Sequence, residues 1–352
     1  MTRNAALALL ACLWLAPPAA AGIDEAGTSA ANFLVVGAGP AVLGMGGAAL
    51  GRSGSLDLAA WNPGALGFVD ETSLQLAHSS LDEQTMQEWA TLGGRLGHSR
   101  TRWAMAALYQ SEGTIEGRDA GNFATETFTV GSGAGMLQLA QAFGPHVAVG
   151  VTGKYVLDNL GPGQGGTGMT FDGGMSLRFG AVGLGFAAQN VGGSMTYGST
   201  AYAFPASYGA GVSVASVATG LTAACDVNLP STSYTNVRSG VEWNWRQHVA
   251  LRAGYRMELG APADEPLSGP TFGTGLGAHG MWLDYGLVLG ANQGGQHRLS
   301  ISLRPGGMGL KGGGDPFGQG SIPREFDQAT PTQGPMVGPP APAANDAKRT
   351  KR

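Results

Sequence analysis

The residue types that most often carry catalysis or bind metals are scattered along this 352-residue sequence. Its six histidines show no H-x-x-x-H or cysteine–histidine spacing, so we predict no metal site. The sequence has no G-x-S-x-G motif and no Walker A loop, and no serine–histidine pair can be assigned to an acyl-ester hydrolase. We therefore predict that the protein is not an enzyme and uses no cofactor. The histidines are His78, His98, His146, His248, His279 and His297.

A glycine motif near the start of the chain is the one candidate for nucleotide binding. Residues 33–40 read FLVVGAGP, which is typical of the strand and turn that open a dinucleotide-binding unit. Val42 stands where that fingerprint needs a third glycine, and no alternating helices follow. We therefore predict no nucleotide site. The net charge of -4 likewise provides no basic surface for nucleic acid.

The remaining chemically active residues are charges at every second position within apolar stretches. Along 247–257, Arg252 and Arg256 alternate with Leu251 and Tyr255. We predict that such charges point into a hydrated interior, and two interpretations remain open. In the favoured one they pair with each other and make the interior rigid; in the other, Arg252 and Arg256 bind an anionic head group such as a carboxylate. The predicted inward charges are Lys154, Asp172, Arg178, Asp226, Arg238, Glu242, Arg252, Arg256, Asp284, Arg298 and Arg304.

These charges belong to segments whose alternation of period two indicates β-strands with one apolar face. About fourteen such segments occur, and helical periodicity is nearly absent. Tight turns are predicted at 144–145 and 180–181, and long connections at 112–130, 191–205 and 258–270. The segments lie near 72–81, 88–96, 101–111, 131–143, 146–157, 168–179, 181–190, 206–216, 219–228, 234–245, 247–257, 271–279, 281–291 and 296–304.

The composition indicates which all-β architecture these strands form. Charged residues are 12% of the chain, where about 25% is usual, and glycine accounts for 61 residues. A soluble β-sandwich would bury the charged face away from water, whereas the lumen of a membrane barrel is hydrated. Aromatic residues lie near strand ends on the apolar face, as membrane girdles require. These are Phe143, Tyr155, Trp243, Trp245 and Tyr255.

We therefore predict an all-β fold, a transmembrane outer-membrane β-barrel of about 14 antiparallel strands over 72–304. No stretch of about 20 apolar residues follows the N-terminal region, so no helical span is predicted. Much of the glycine falls on the inward face, where a missing side chain leaves room for a plug or a solute. These glycines are Gly150, Gly174, Gly183, Gly185, Gly240, Gly254 and Gly286.

The two ends of the chain differ from the barrel. Residues 1–21 are typical of a cleaved secretory signal peptide, with a lipoprotein signal ending at Cys12 as the alternative. Cys225 would then be a lone cysteine, which we interpret as an apolar packing residue. Residues 305–352 are rich in glycine and proline and are predicted to form a disordered tail. Both chain ends are expected to face the periplasm, where the basic end of the tail contacts a partner or only aids solubility.

A family resemblance begins in the N-terminal segment. Residues 43–67 read LGMGGAALGRSGSLDLAAWNPGALG, which resembles the N-terminal signature of the PorV/PorQ family of outer-membrane proteins, related to the FadL-type long-chain fatty acid transporters. The similarity continues at 187–198, 203–214, 237–256 and 281–304. It departs from the pattern after Pro63, where the alanine and glycine are reversed, and in a last strand that does not end on an aromatic residue. The matching signature residues are Gly44, Met45, Gly46, Gly47, Asp57, Trp61, Asn62 and Pro63.

The resemblance implies a fourteen-stranded barrel in the outer membrane of a diderm bacterium, surrounded by its lipid, with residues 22–71 folded inside as a hatch. It also implies two functional hypotheses. In the first, the barrel binds or passes small hydrophobic or amphipathic molecules and is gated by 33–68. In the second, it is a non-transporting accessory of type IX-like protein secretion, with partners in the secretion machinery.

Overall fold

The structure is a computed structural model that describes residues 27–82, 84–262, 267–290 and 295–305. The predicted signal peptide and all of the predicted tail after Pro305 lie outside the described residues. Within them, no helix is long and apolar enough to cross a membrane. In this part of the chain, helix is confined to short turns at Asn32–Val35, Pro40–Leu43, Leu56–Ala60 and Pro63–Phe68.

Sixteen β-strands follow these turns among the described residues, and fourteen of them close into an antiparallel barrel. Strand β1 pairs with β2 on one side and with β16 on the other, so that Leu76 lies opposite both Ala90 and Ile301. The strands are β1 Ser73–Ser80, β2 Met86–Arg95, β3 Thr101–Arg118, β4 Ala124–Phe143, β5 Val147–Gly161, β6 Gln164–Phe179, β7 Val182–Val191, β8 Ser194–Tyr197, β9 Thr200–Ala203, β10 Ser207–Ser216, β11 Leu221–Pro230, β12 Asn236–Trp245, β13 Val249–Glu258, β14 Gly269–Ala278, β15 Met281–Val288 and β16 Gln296–Leu303.

The predicted barrel of about fourteen antiparallel strands is confirmed. Each of the fourteen predicted segments overlaps one strand of the ring, in which β7 pairs directly with β10. The hairpin of β8 and β9 stands outside the ring and extends β6. Closure leaves the ring without an unpaired strand edge.

One of the predicted long connections is wrong. Strands β3 and β4 continue as a paired ribbon through 112–130, with Thr114 opposite Thr129, and leave only residues 119–123 as a turn. The connection at 191–205 is long, as predicted, and also contains β8 and β9, which were not predicted. The sequence pattern misses these strands because most of their side chains are exposed, so apolar and polar residues do not alternate.

The barrel has two unlike ends. Short turns at 144–146, 180–181 and 246–248 lie at the end where β1 begins and β16 finishes, which we call the turn end. Gly144 and Gly180 adopt φ of 72° and 59° in two of these turns, a conformation that favours glycine. The opposite end, which we call the loop end, carries longer connections at 192–206 and 259–268.

The two faces of the wall differ in polarity. Large apolar side chains point outward and are exposed, including Leu137 at 65%. Outward aromatic side chains form two rows, with Phe143, Phe179, Trp243 and Trp245 at the turn end and tyrosines towards the loop end. The tyrosines of the second row are Tyr109, Tyr155, Tyr208, Tyr255 and Tyr285. Alternate residues point inward, where many polar side chains are buried.

Residues 38–69, which we call the inner segment, follow the inward face around most of the ring. Nearly all of them are buried. The segment touches strands on every side of the barrel, which makes it part of the interior packing. Its contacts are Pro40 with Gly286 of β15, Gly44 with Gly273 of β14, Gly46 with Tyr255 of β13, Met45 with Gly240 of β12, Leu50 with Asp226 of β11, Gly51 with Ser213 of β10, Asn62 with Met175 of β6, Pro63 with Gly150 of β5, Ala59 with Gln138 of β4 and Val69 with Arg102 of β3.

The inward glycines are the places where the wall and the inner segment approach most closely. A Cβ on Gly185 would overlap the carbonyl oxygen of Leu50, and a Cβ on Gly254 would overlap the backbone nitrogen of Gly46. Each of the seven glycines assigned to the inward face meets the inner segment in this way. The absence of side chains therefore lets backbone pack against backbone.

Replacing Gly174 by alanine should destabilise the barrel by about 1–3 kcal/mol, because the new methyl group would overlap Asn62 and Pro63 in a packed interior. Gly173 is the matched control: it lies next in the strand, and a Cβ there meets no atom within 4 Å. The difference in stability is measured as the temperature at which each folded barrel unfolds and changes its migration on a gel. Equal heat resistance of Gly174→Ala and Gly173→Ala would contradict the close packing.

Candidate functional site

A cavity of about 350 Å³ lies between the inner segment and the loop end of the barrel. Trp61 and Gly47 of the inner segment contribute to its lining. Residues 27–36, which we call the strap, cross the mouth above it and contribute Leu34 and Val36. The backbone N–H of Ala30 donates to the carbonyl of Ala203 in β9 (2.9 Å). This hydrogen bond places the start of the strap at the loop end.

The position of the strap corrects one expectation. Both chain ends were expected at the same end of the barrel, because the strand count is even. Strands β1 and β16 do begin and finish at the turn end, but residues 27–31 lie at the opposite, loop end. The inner segment connects the two ends, a path that strand counting could not reveal.

Three arginines line the cavity. Arg238 on β12 donates from Nε to Asn236 Oδ1 (2.8 Å), and its guanidinium carbon lies 5.1 Å from the centre of the Trp61 ring. Arg298 on β16 donates from Nη1 to the carbonyl of Gly37 (3.1 Å). Arg256 on β13 projects into the same space.

The charges of these arginines are unequally balanced. Arg256 pairs with Glu258 (2.6 Å), whereas within the described residues neither Arg238 nor Arg298 has a carboxylate within ion-pair distance. Arg298 is only 2% exposed, and its Nε has no hydrogen-bond partner among them. None of the described residues that line the cavity is Asp or Glu. The described lining of the cavity is therefore electropositive.

Part of the cavity lining is apolar. Leu34, Leu43 and Val288 line the cavity together with the Trp61 ring. Arginines and apolar side chains in one lining give the site the polarity of an amphipathic ligand.

Arg252 does not belong to this cavity, although it lies four residues before Arg256. It donates from Nε to Glu242 (2.5 Å) and from Nη1 to Asp284 (2.6 Å). Trp282 Nε1 also donates to Asp284 (2.6 Å), and Arg52 of the inner segment lies 3.8 Å from Glu242. All of these side chains except those of Arg52 and Trp282 are buried. The structure thus separates Arg252, which is held in a buried ion cluster, from Arg256, which lines the cavity.

The other charges predicted to face inward have separate partners. Lys154 pairs with Asp172 (2.9 Å) and bonds to Asn190 Oδ1 (2.7 Å). Asp226 accepts the backbone N–H groups of Ala49 (2.6 Å) and Leu50 (2.8 Å). The Lys154–Asp172 pair therefore links neighbouring strands, and Asp226 links its strand to the inner segment. The two remaining arginines lie at the turn end: Arg178 over the Phe68 ring at 4.6 Å, and Arg304 just after β16.

The signature residues are arranged around Asn62, which is fully buried. Its amide donates to the carbonyls of Leu50 and Met175 (3.1 Å each), and its oxygen accepts from Gly64 N–H (2.9 Å). Trp61 Nε1 donates to the carbonyl of Ala38 (3.0 Å). The Asn62 side chain therefore ties two parts of the inner segment to β6. Gly44, Met45, Gly46, Gly47 and Pro63 lie against the wall or the cavity, and Asp57 accepts from Ser55.

Sequence reasoning missed three residues whose polar groups support the inner segment or the ion cluster. Arg102 donates to the carbonyl of Val69 (2.6 Å) and to Asp70 (3.0 Å), and Arg52 and Trp282 belong to the ion cluster. Alternation along β3 could have revealed Arg102, because its neighbours in the strand point outward and Arg102 therefore points inward. Within the described residues, no three His, Cys, Asp or Glu side chains come together as a metal site would require.

The fold is similar to those of solved transporters. The Ralstonia pickettii toluene transporter TbuX aligns with a TM-score of 0.57 and 12% identity over 77% of this chain and 99% of that chain. The P. putida toluene transporter TodX aligns with a TM-score of 0.53 and 12% identity over 76% of this chain and 98% of that one. A Pseudomonas aeruginosa FadL homologue aligns with a TM-score of 0.49 and 9% identity over 75% and 98%. No family model and no curated protein matches the sequence.

These likenesses concern the fold alone, because the identities are low. The chain has the closed antiparallel barrel of TbuX and TodX. The resemblance to the PorV/PorQ family stays a prediction from the sequence motifs.

The ion cluster generates a stability prediction. Arg252→Met should destabilise the barrel by about 3–5 kcal/mol, because Glu242 and Asp284 would remain buried without a partner. The control is Arg118→Met, since the Arg118–Glu116 pair is half exposed and should contribute about 0–1 kcal/mol. Denaturant unfolding in detergent compares the two variants. Similar losses in both would show that the cluster does not support the fold.

Proposed function

We propose that the protein is an outer-membrane barrel that binds, and passes through a plugged lumen, small amphipathic molecules with an anionic head group. The observation that carries this proposal is Arg298, a buried cation without a carboxylate partner in the described chain, beside an apolar wall. A charge buried without a counter-ion is costly, so an anionic ligand would offset the cost.

The membrane location is supported by the outward face. Phe143 lies opposite Val147 at the turn end of β5, and Tyr155 lies eight residues further along that strand. Eight residues of a strand tilted by about 40° rise about 20 Å, close to the apolar band of about 25 Å in membrane barrels. The exposed apolar side chains between the two aromatic rows would therefore face lipid. The predicted signal peptide fits export to the same membrane.

The ligand class follows from the two kinds of side chain that line the cavity. Arg238, Arg256 and Arg298 would bind the anionic head group through charge-assisted hydrogen bonds. Leu34, Leu43 and the Trp61 ring would pack against its apolar part. The solved relatives in fold, TbuX and TodX, are toluene transporters, and toluene is uncharged. The arginines of this cavity would therefore select a ligand with an anionic head group, unlike toluene, within a barrel of similar fold.

The inner segment would close the lumen as a plug. It packs backbone to backbone against the wall, and the residues between Ala38 and Gly51 are buried throughout. Passage of a ligand would therefore require part of the N-terminal region to move. We assign this gating to residues 33–68.

The secretion-accessory role remains the alternative. It is supported by the PorV/PorQ-like motifs and would place partners in the secretion machinery, with the tail as one route of contact. The electropositive, partly apolar cavity favours ligand binding. Genes for type IX secretion components beside this gene would favour the accessory role.

Deleting residues 33–68 should raise single-channel conductance in planar bilayers, since the deletion removes the packed inner segment. Heat-modifiability on gels checks that the shortened barrel still folds. A folded deletion variant with the conductance of the intact protein would show that the lumen is not a pathway.

Arg298→Gln should weaken binding of decanoate at least tenfold, because a hydrogen bond to a charged group contributes about 1.5–3 kcal/mol. Binding of decanol should change little, since its uncharged head group does not need the guanidinium. Calorimetry with the folded protein in detergent measures both ligands. Arg118→Gln, far out on the β3–β4 ribbon, is the control. Equal losses for decanoate and decanol would refute a head-group role for Arg298.

A further inference from the structure

A second pocket, of about 650 Å³, lies at the loop end on the other side of the strap. Gly27, Asn32 and Val36 line both this pocket and the cavity described above, so the strap separates the two. The outer wall of the second pocket is the inward face of β3 to β6, together with the β8–β9 hairpin. Nothing in the proposed function uses this space.

The chemistry of this pocket is opposite to that of the arginine cavity. None of its described lining residues is Lys or Arg, and its two charged residues are Glu112 and Asp158. Neutral hydrogen-bonding groups surround them, including Gln110, Ser132 and Gln164. The carboxylates would repel an anionic head group, so the ligand of the arginine cavity does not suit this pocket.

The two carboxylates are held in fixed orientations. Ser132 Oγ donates to Asp158 Oδ1 (2.5 Å), and the Tyr197 hydroxyl donates to the other oxygen of Asp158. Gln110 Nε2 donates to Glu112 Oε1 (2.5 Å), and Thr85 Oγ1 donates to Glu112 Oε2 (3.1 Å). Burial, followed by the hydrogen bond to Asp158, raises the pKa of Tyr197, which keeps its hydroxyl a donor. Acceptors held in this way provide directed hydrogen bonds.

Two tyrosine rings complete the pocket. Tyr197 and Tyr202 meet edge to face, with ring centres 5.8 Å apart and an interplanar angle of 73°. Tyr202 is 41% exposed, although large aromatic side chains gain free energy when they are covered. Its ring offers an apolar surface beside the hydrogen-bonding groups.

We infer that this pocket binds a neutral saccharide. The hydroxyls of a sugar ring need several directed donors and acceptors, which the fixed carboxylates and the amides of Gln110 and Gln164 supply. The C–H face of the ring needs a flat apolar surface, which Tyr202 supplies. An organic cation is the rival ligand, because the two carboxylates keep their negative charge. The neutral amides and hydroxyls around them favour the sugar, since a sugar uses both donors and acceptors. The inference is independent of the ligand in the arginine cavity.

The test uses the full-length protein in a sugar-free amine-oxide detergent, with maltose as the probe and saturation-transfer NMR and calorimetry as readouts. Maltose should bind, and Tyr202→Ala should weaken binding at least fivefold. Tyr208→Ala is the matched control, because Tyr208 points outward and is exposed. Arg298→Gln should leave maltose binding unchanged, which separates this site from the proposed amphiphile site.

Two further probes decide the alternatives. Stronger binding of a lipid-free core oligosaccharide from lipopolysaccharide than of maltose would support the inference and identify a surface glycolipid as the source of the sugar. Binding of tetramethylammonium in place of either sugar, with loss in Asp158→Asn, would overturn it in favour of a cation site. Failure of both sugars to bind the folded protein would also overturn it.

Discussion

Close backbone packing between the wall and the N-terminal region is the constraint on which the rest of this structure depends. Seven inward glycines allow the inner segment to lie against the strands without intervening side chains. Because the segment is so near the wall, the polar groups of both must satisfy each other. Asp226 accepts two backbone N–H groups of the segment, and Asn62 bonds to both the segment and β6. The packing thus determines which inward polar groups are already hydrogen-bonded to the inner segment.

The inward charges that this packing does not pair line the cavity of the candidate site. Arg252 is neutralised by Glu242 and Asp284, whereas Arg298 has no carboxylate within ion-pair distance in the described chain and faces a cavity. The strap then divides the loop end into a basic and an acidic compartment. Charges that pair with each other and support the fold therefore coexist in one barrel with buried charges that line a cavity.

Much of the fold could be predicted from the sequence, because alternation of apolar and polar residues is a local property of each strand. The segments later found as β13 and β15 show it clearly, with Leu251 and Leu283 outward and Arg252 and Asp284 inward. The β3–β4 ribbon escaped prediction since neither of its faces is buried. The path of the strap escaped because residues 27–37 make long-range contacts that carry no periodic pattern.

The sequence by itself determined the strand count, the polarity of each face and the inward position of the glycines, since these follow from residue type at every second position. Only the tertiary structure decided which inward charges pair with each other. Arg252 and Arg256 are equivalent in the sequence pattern. Glu242 on the neighbouring strand β12 and Asp284 on β15 reach Arg252, whereas Arg256 faces a cavity. Electrostatic pairing depends on distances between strands, which the register and the inner segment set.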